Sequence, residues 1–316
     1  MIARLATRLV GGLGRDLRDL ASAWDRFWLA PLAPDTLGVL RLATGLMLLY
    51  SHAVWSLALE EFFTDGGWQP AEFVAASTRG AGWSYWWWVP SRFIWPVHLA
   101  SLAVLAAFAA GVLTHITKWL AVVVVLSYAQ RTPYANFGLD QISGMLTLYL
   151  ALGPCGACWS VDAWLGRTAA TSTTTSTTVT ASAAARLSTR LVQVHLCVIY
   201  LYAGLAKLKG TAWWNGEAIW MTLANEEYQS LDLTQLAWYP RLTEALTHGT
   251  VAWELSFWAL VWVRRLRPYV LTVGTLMHFG IGAFLGMWTF GIIMTIAYLA
   301  FVPPAAWRRL LRPETV

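Results

Sequence analysis

Charge is what this chain has least of. Asp, Glu, Lys and Arg make up 12% of its 316 residues, about half the share of an ordinary soluble domain, and the soluble globular class is excluded. Cysteine is nearly as scarce. Cys155, Cys158 and Cys197 cannot build a disulfide framework, and Cys155-Gly-Ala-Cys158 has no second pair to complete a zinc or redox site, so the thiols read as reduced and structural. His52, His98, His115, His195 and His248 show no ligand spacing, and no metal is expected. The first 30 residues lack the unbroken apolar stretch of a cleavable signal. No internal repeat is visible, nor are spans broken by Gly or Pro in matching halves, as in many transporters.

What the chain has in abundance is apolar and aromatic surface: 57% hydrophobic residues and 21 tryptophans, with a mean hydropathy of +0.51. Stretches of about 20 apolar residues cross a bilayer as helices, and indoles collect at its headgroup boundary. The windows predict an all-α, polytopic membrane bundle of about eight transmembrane helices, near 36–57, 93–113, 115–131, 139–156, 189–208, 248–263, 268–286 and 288–304. With the N-terminus inside, fifteen of the 22 lysines and arginines fall in inner segments and six in outer ones, with Arg41 inside a span. That asymmetry places both termini on the cytoplasmic side of a cell (inner) membrane. It also accounts for the net charge of +5 without a nucleic-acid partner.

Three flanking segments complete the organisation. Residues 1–32 alternate leucines with Arg4, Arg8, Arg15 and Arg18 at helical spacing, an amphipathic helix lying on the inner leaflet or against the bundle. The inner segment 166–187 is a Ser/Thr-rich low-complexity linker, and 308–316 form a basic tail. The outer loops 58–92 and 210–247 contain Trp83-Ser-Tyr-Trp-Trp-Trp88 and Trp213-Trp214-Asn215-Gly216. They are expected to form short interfacial helices that either roof the bundle or anchor it in lipid.

Polar residues inside the spans are the candidate site. Lys207 closes the fifth span, where an ammonium loses hydration and is drawn to the interface, paired, or held neutral as a base. Helical rise places His278, Glu254 and Asn136 in the same outer depth band. Each has an alternative role: Lys207 as an anchor beside Lys209, His278 as a hydrogen bond between glycine-rich helices, Glu254 as a structural partner of Lys207. Arg41, near the inner end of the first span, reads as structural.

Several segments together resemble the transmembrane domain shared by vitamin K-dependent gamma-glutamyl carboxylases and the bacterial HTTM (horizontally transferred transmembrane) proteins. They are Leu37-Gly-Val-Leu-Arg41-Leu-Ala-Thr-Gly45, Arg131-Thr-Pro-Tyr-Ala-Asn136, Trp159-Ser-Val-Asp162, Tyr202-Ala-Gly-Leu-Ala-Lys207 followed by Trp214-Asn-Gly216, Trp253-Glu254-Leu-Ser256, and His278 followed by Gly286-Met-Trp-Thr-Phe290. The similarity spans about 33–307. It implies that Lys207 deprotonates a reduced quinone of the vitamin K or menaquinol type, with His278 as a second catalytic residue. Asn136, Tyr202, Trp214 and Glu254 would line the quinol site, and Arg41 and Asp162 would be structural.

The chain departs from the carboxylases at Phe137, where they carry a histidine. It also ends at Val316 without their large lumenal region, so glutamate carboxylation itself is not expected. The leading expectation is a carboxylase-like or quinol-dependent lyase or oxidoreductase acting on a lipid-soluble substrate, with a secreted peptide or a partner membrane or periplasmic protein. The alternatives are a non-catalytic maturation, export or immunity factor for a small secreted peptide, and a transporter.

Overall fold

The computed structural model describes residues 2–77, 82–170 and 180–311, with side chains described for 16–77, 82–166 and 180–310. Residues 171–179 of the Ser/Thr-rich linker, Arg79 and the end of the basic tail lie outside the described residues, as do the side chains of Arg4, Arg8 and Arg15.

Among the described residues the protein is helical throughout, without strands beyond one isolated bridge between Leu32 and Ser182. The long helices are α1 (Ile2–Leu29), α2 (Asp35–Val54), α3 (Ile94–Ala110), α4 (Thr114–Arg131), α5 (Gly138–Leu152), α6 (Ala183–Lys207), α7 (Pro240–Leu260), α8 (Arg267–Leu285) and α9 (Trp288–Tyr298). Helices α2 to α9 occupy the eight expected windows. Four stretches are long and apolar enough to cross a membrane: Asp35–Leu57, Ser91–Ala110, Ala183–Lys207 and Arg267–Leu285. A fifth arises if the pair Trp288–Phe301 and Pro304–Leu310, bent by 106°, is one span. The other helices fall short for identifiable reasons. At 15 residues, α5 rises only about 22 Å against a hydrocarbon core of about 30 Å, and α7 carries Arg241, Glu244 and Glu254.

Helix α2 is the axis of the bundle and touches α3, α5, α6 and α9. Leu37, Leu40, Thr44 and Leu48 are all fully buried along it, a spacing that keeps one stripe facing its neighbours. Its contact with α3 is backbone to backbone, since a Cβ on Gly45 would lie 2.6 Å from the Ala109 Cα. Small residues permit such approaches in apolar bundles, where close packing replaces hydrophobic driving force. The α8–α9 hairpin turns on Gly286, whose φ of 72° is left-handed and suits glycine.

Among the described side chains, the N-terminal helix docks by its C-terminal end. Phe27 packs on Trp262 at 5.6 Å, while Arg186 and Arg190 donate to the carbonyls of Ala30 and Phe27. Leu17, Leu20 and Trp24 stay exposed, as a helix lying on lipid requires. The tryptophan-rich segments form the short helices Trp55–Leu57, Leu59–Phe63, Ala71–Ser77, Tyr85–Trp88, Thr211–Trp214, Ala218–Leu223 and Thr234–Trp238. They do not seal the bundle end: Trp238 is 83% exposed and Trp214 63%.

Candidate functional site

The last two turns of α6 assemble the site. Tyr200, Gly204 and Lys207 fall at i, i+4 and i+7 and share one face. Gly204 is the gap that admits α7, because a Cβ there would sit 2.8 Å from the Leu255 side chain and 3.3 Å from the Glu254 Cβ. With α7 so close, Lys207 Nζ donates to Glu254 Oε1 at 2.9 Å. Their side chains are 23% and 8% exposed, so the amine sits at the edge of the bundle and the carboxylate within it. The Trp213 ring lies 5.1 Å from Nζ, a cation–π contact. The second carboxylate oxygen, Oε2, is buried without a hydrogen-bond partner. Of the fates open to a membrane lysine, this one is paired.

A second polar group lies deeper against the same helices. The Tyr200 hydroxyl bonds His278 Nε2 at 2.7 Å and also bonds the Tyr298 hydroxyl. The Glu254 carboxylate is near enough to act electrostatically on both tyrosines. All three side chains are buried, and His278 Nδ1 is left without a partner. Aromatic rings fix the arrangement: Tyr200 packs on Phe257 at 4.4 Å and Trp253 at 4.8 Å, and His278 meets Phe290 edge-on at 5.5 Å. Gly274, one turn before His278, makes room for Tyr298 and Trp253, whose atoms would lie 2.5 and 2.6 Å from a Cβ there. The array runs from a half-accessible ammonium through a carboxylate to two phenols and an imidazole.

The structure brings Lys207, Glu254 and His278 into this array and leaves the other expected quinol contacts outside it. Tyr202 is 74% exposed. Two residues turn a helix by about 200°, so the tyrosine facing inward is Tyr200, and Tyr202 lies on the surface of the bundle. Trp214 donates to the Leu208 carbonyl at 2.8 Å and points outward; the indole against Lys207 is Trp213. Asn136 donates to the Ala129 carbonyl at 2.7 Å and lines a small separate cavity with His52, Tyr128 and Ser143. Sequence reading missed Tyr200, Tyr298 and Trp213. The i, i+4, i+7 relation of Tyr200 to Lys207 was the available signal for the first, and no local signal pointed to Tyr298. His98, set aside in the sequence, is engaged by Ser56 at 2.8 Å and Tyr128 at 2.6 Å. Among the described residues no three His, Cys, Asp or Glu side chains converge as a metal site would require.

The opposite end of the bundle holds the other two residues. Arg41 is fully buried and donates to the Cys155 carbonyl at 3.1 Å and to the Trp159 carbonyl. Asp162 accepts from Leu113 N at 2.9 Å and from Thr114 N and Oγ1, both at 2.7 Å. It thereby caps α4, where a carboxylate also complements the helix dipole. Burial alone pushes the Asp162 carboxyl up, but the bonds from Thr114 and Leu113 outweigh it and hold the group below the usual carboxylate range. Cys155 and Cys158 are buried in the same turn and form no disulfide.

A family model described as the HTTM domain matches residues 30–307. No curated protein and no solved structure matches the chain. The family match covers most of the sequence, and this protein belongs to the HTTM family of membrane proteins.

Proposed function

We propose that this HTTM protein is a membrane enzyme whose Lys207–Glu254 pair takes a proton from a lipid-soluble, hydroxyl-bearing substrate of the quinol class. In this reading the chain crosses a cell membrane eight times with both termini cytoplasmic, and the Lys207 end of the bundle faces outward. The gathering of Arg41, Arg186, Arg190, Arg267 and Arg308 at the other end supports that orientation.

The observation that carries the reading is the state of Glu254: one oxygen on an amine that substrate can reach, the other buried and free of partners. A hydroxylated ring fits these groups, since the amine at the bundle edge can meet its hydroxyl and the Trp213 indole offers a flat apolar wall. A quinol, when bound, supplies a weakly acidic ring hydroxyl. An apolar body lying over Lys207 removes the water that favours separated charges, and an ion pair in low dielectric costs more than its neutral form. The ammonium then gives a proton to Oε1, 2.9 Å away, and becomes a neutral amine. That amine accepts the substrate proton, leaving an ammonium beside the new oxyanion and a protonated Glu254. Glu254 then sheds its proton to water at the open Lys207 edge as the product leaves; Tyr200, Tyr298 and His278 are hydrogen-bonded to one another and not to Glu254.

The deprotonated quinol passes two electrons to dioxygen, giving quinone and hydrogen peroxide, so the test is menaquinol turnover in nanodiscs under air, followed by quinone absorbance. A positioned base is worth about 10²–10⁴ in rate, so Lys207→Met should lower turnover by at least about 100-fold while the protein still inserts and folds. Equal rates for wild type and variant, or no turnover above empty nanodiscs, sink the reading. The exposed indoles Trp68, Trp88 and Trp238 favour a second reading, a non-catalytic handler of a secreted peptide. Such a handler tolerates Lys207→Met and fails on changes at Trp88 and Trp238.

A further inference from the structure

Arg131, the last residue of α4, is an unmatched cation. It is 1% exposed, and among the described residues its guanidinium makes one hydrogen bond, Nη1 to the Gln69 carbonyl at 2.6 Å. The Phe63 ring lies 5.6 Å away. No carboxylate stands within ion-pair distance of it among the described residues. Asp65 acts on it through space, from an exposed position. A guanidinium carries five N–H donors, and a buried charge held by one carbonyl is costly unless something pairs with it.

Arg131 borders a cavity of about 250 Å³, open on one side, whose walls include Phe63 and the indoles of Trp86, Trp87 and Trp88. The Trp87 Nε1 donor is buried without an acceptor. Arg131 and Trp87 thus line one cavity within an aromatic frame, and the indole N–H groups of Trp86 and Trp87 are both unused. This place is separate from the Lys207 pair but lies at the same end of the bundle. Ser188, early in α6, bonds the Tyr149 carbonyl late in α5, so the two helices run antiparallel, and the end of α6 lies beside the start of α5, which closely follows Arg131.

We propose that this cavity binds an oxyanion, a phosphate or carboxylate group, through Arg131 with help from Trp87. Arg presents a planar fork matched to two oxygens of such a group. The volume lies just under the range of about 300–1,000 Å³ typical of drug-sized ligands, which fits a headgroup-sized moiety. Two sources carry that chemistry: the phosphate of an anionic lipid, and a free small oxyanion. Asp65 sits where it opposes either one, so its charge limits affinity.

The experiment uses the full chain in two arms. In the first, protein drawn from mixed phosphatidylglycerol and phosphatidylcholine nanodiscs is examined by native mass spectrometry for retained phosphatidylglycerol. In the second, protein in phosphatidylcholine nanodiscs is titrated with inorganic phosphate and with acetate, and the thermal midpoint is followed. Retention in the first arm assigns a lipid headgroup, and a saturable midpoint rise in the second assigns a free oxyanion. Arg131→Gln should abolish whichever signal appears. Should that variant fail to fold, two milder ones carry the test. Trp87→Phe, which keeps the ring and removes the donor, should weaken binding about threefold or more. Asp65→Asn should strengthen it by a similar factor, a response that a purely structural Arg131 would not give. Absence of a signal in both arms, or binding unchanged across Trp87→Phe and Asp65→Asn, overturns the proposal.

Discussion

The two ends of the bundle solve the problem of a buried charge in opposite ways. At one end Arg41 and Asp162 are surrounded by fixed backbone partners: two carbonyls for the arginine, two N–H groups and a hydroxyl for the aspartate. At the other, Lys207 and Glu254 have chiefly each other, with one carboxylate oxygen unpaired and the amine partly open to the surroundings. The first arrangement uses charge as a fastener between α2, α4 and the turn after α5. The second leaves donor and acceptor capacity unspent, as a site that exchanges protons must. The contrast is one of degree, since the Arg41 Nε is also buried without a partner.

Five substitutions break or sharpen that contrast. The largest loss of stability should follow Arg41→Met, which strands two buried carbonyls at about 1–3 kcal/mol each. Thermal unfolding in nanodiscs should show a drop of many degrees or loss of folded protein. Next comes Gly204→Ala, whose methyl meets Leu255 and should cost about 1–3 kcal/mol by overpacking. Because it also pushes Glu254 from Lys207, turnover should fall with the midpoint.

Asp162→Asn takes the charge and one of two acceptor oxygens from the α4 cap, at a cost of up to about 1 kcal/mol, and its effect depends on pH. The Asp162 carboxyl is held below its usual range. Its stabilisation is therefore present above the unfolded value of about 3.9 and is lost as pH falls through the lower folded value. Wild type should lose part of its midpoint over that acid window and Asp162→Asn should lose less; parallel curves would count against the cap. The smallest effect belongs to Tyr202→Phe, within about 0.5 kcal/mol for an exposed position. Tyr200→Phe, by contrast, removes the hydroxyl shared by His278 and Tyr298 and should alter both stability and turnover.

Sequence periodicity located the helices well, because an apolar stretch in this chain has little alternative to helix. The count of crossings was less legible, since α5 and α7 are helical yet too short or too polar to qualify by length and composition. At the site, Lys207, Glu254 and His278 stood out as polar groups in apolar surroundings. The choice of Tyr202 over Tyr200 followed the motif and missed the helical face, which depends on where α7 docks. Gly204 decides that docking, and its role lies in a tertiary contact that local sequence does not express. Tyr298 reaches the cluster from α9, about a hundred residues along the chain, through the space left by Gly274.

The most direct test of the central claim compares Lys207→Met with Arg41→Met in the same nanodiscs, measuring unfolding midpoint and menaquinol turnover together. The account predicts that Lys207→Met keeps its midpoint within a few degrees and loses turnover, because Glu254 can take up a proton once unpaired, whereas Arg41→Met loses the fold itself. A Lys207→Met protein that unfolds as readily as Arg41→Met, or that stays folded with undiminished turnover, would contradict it.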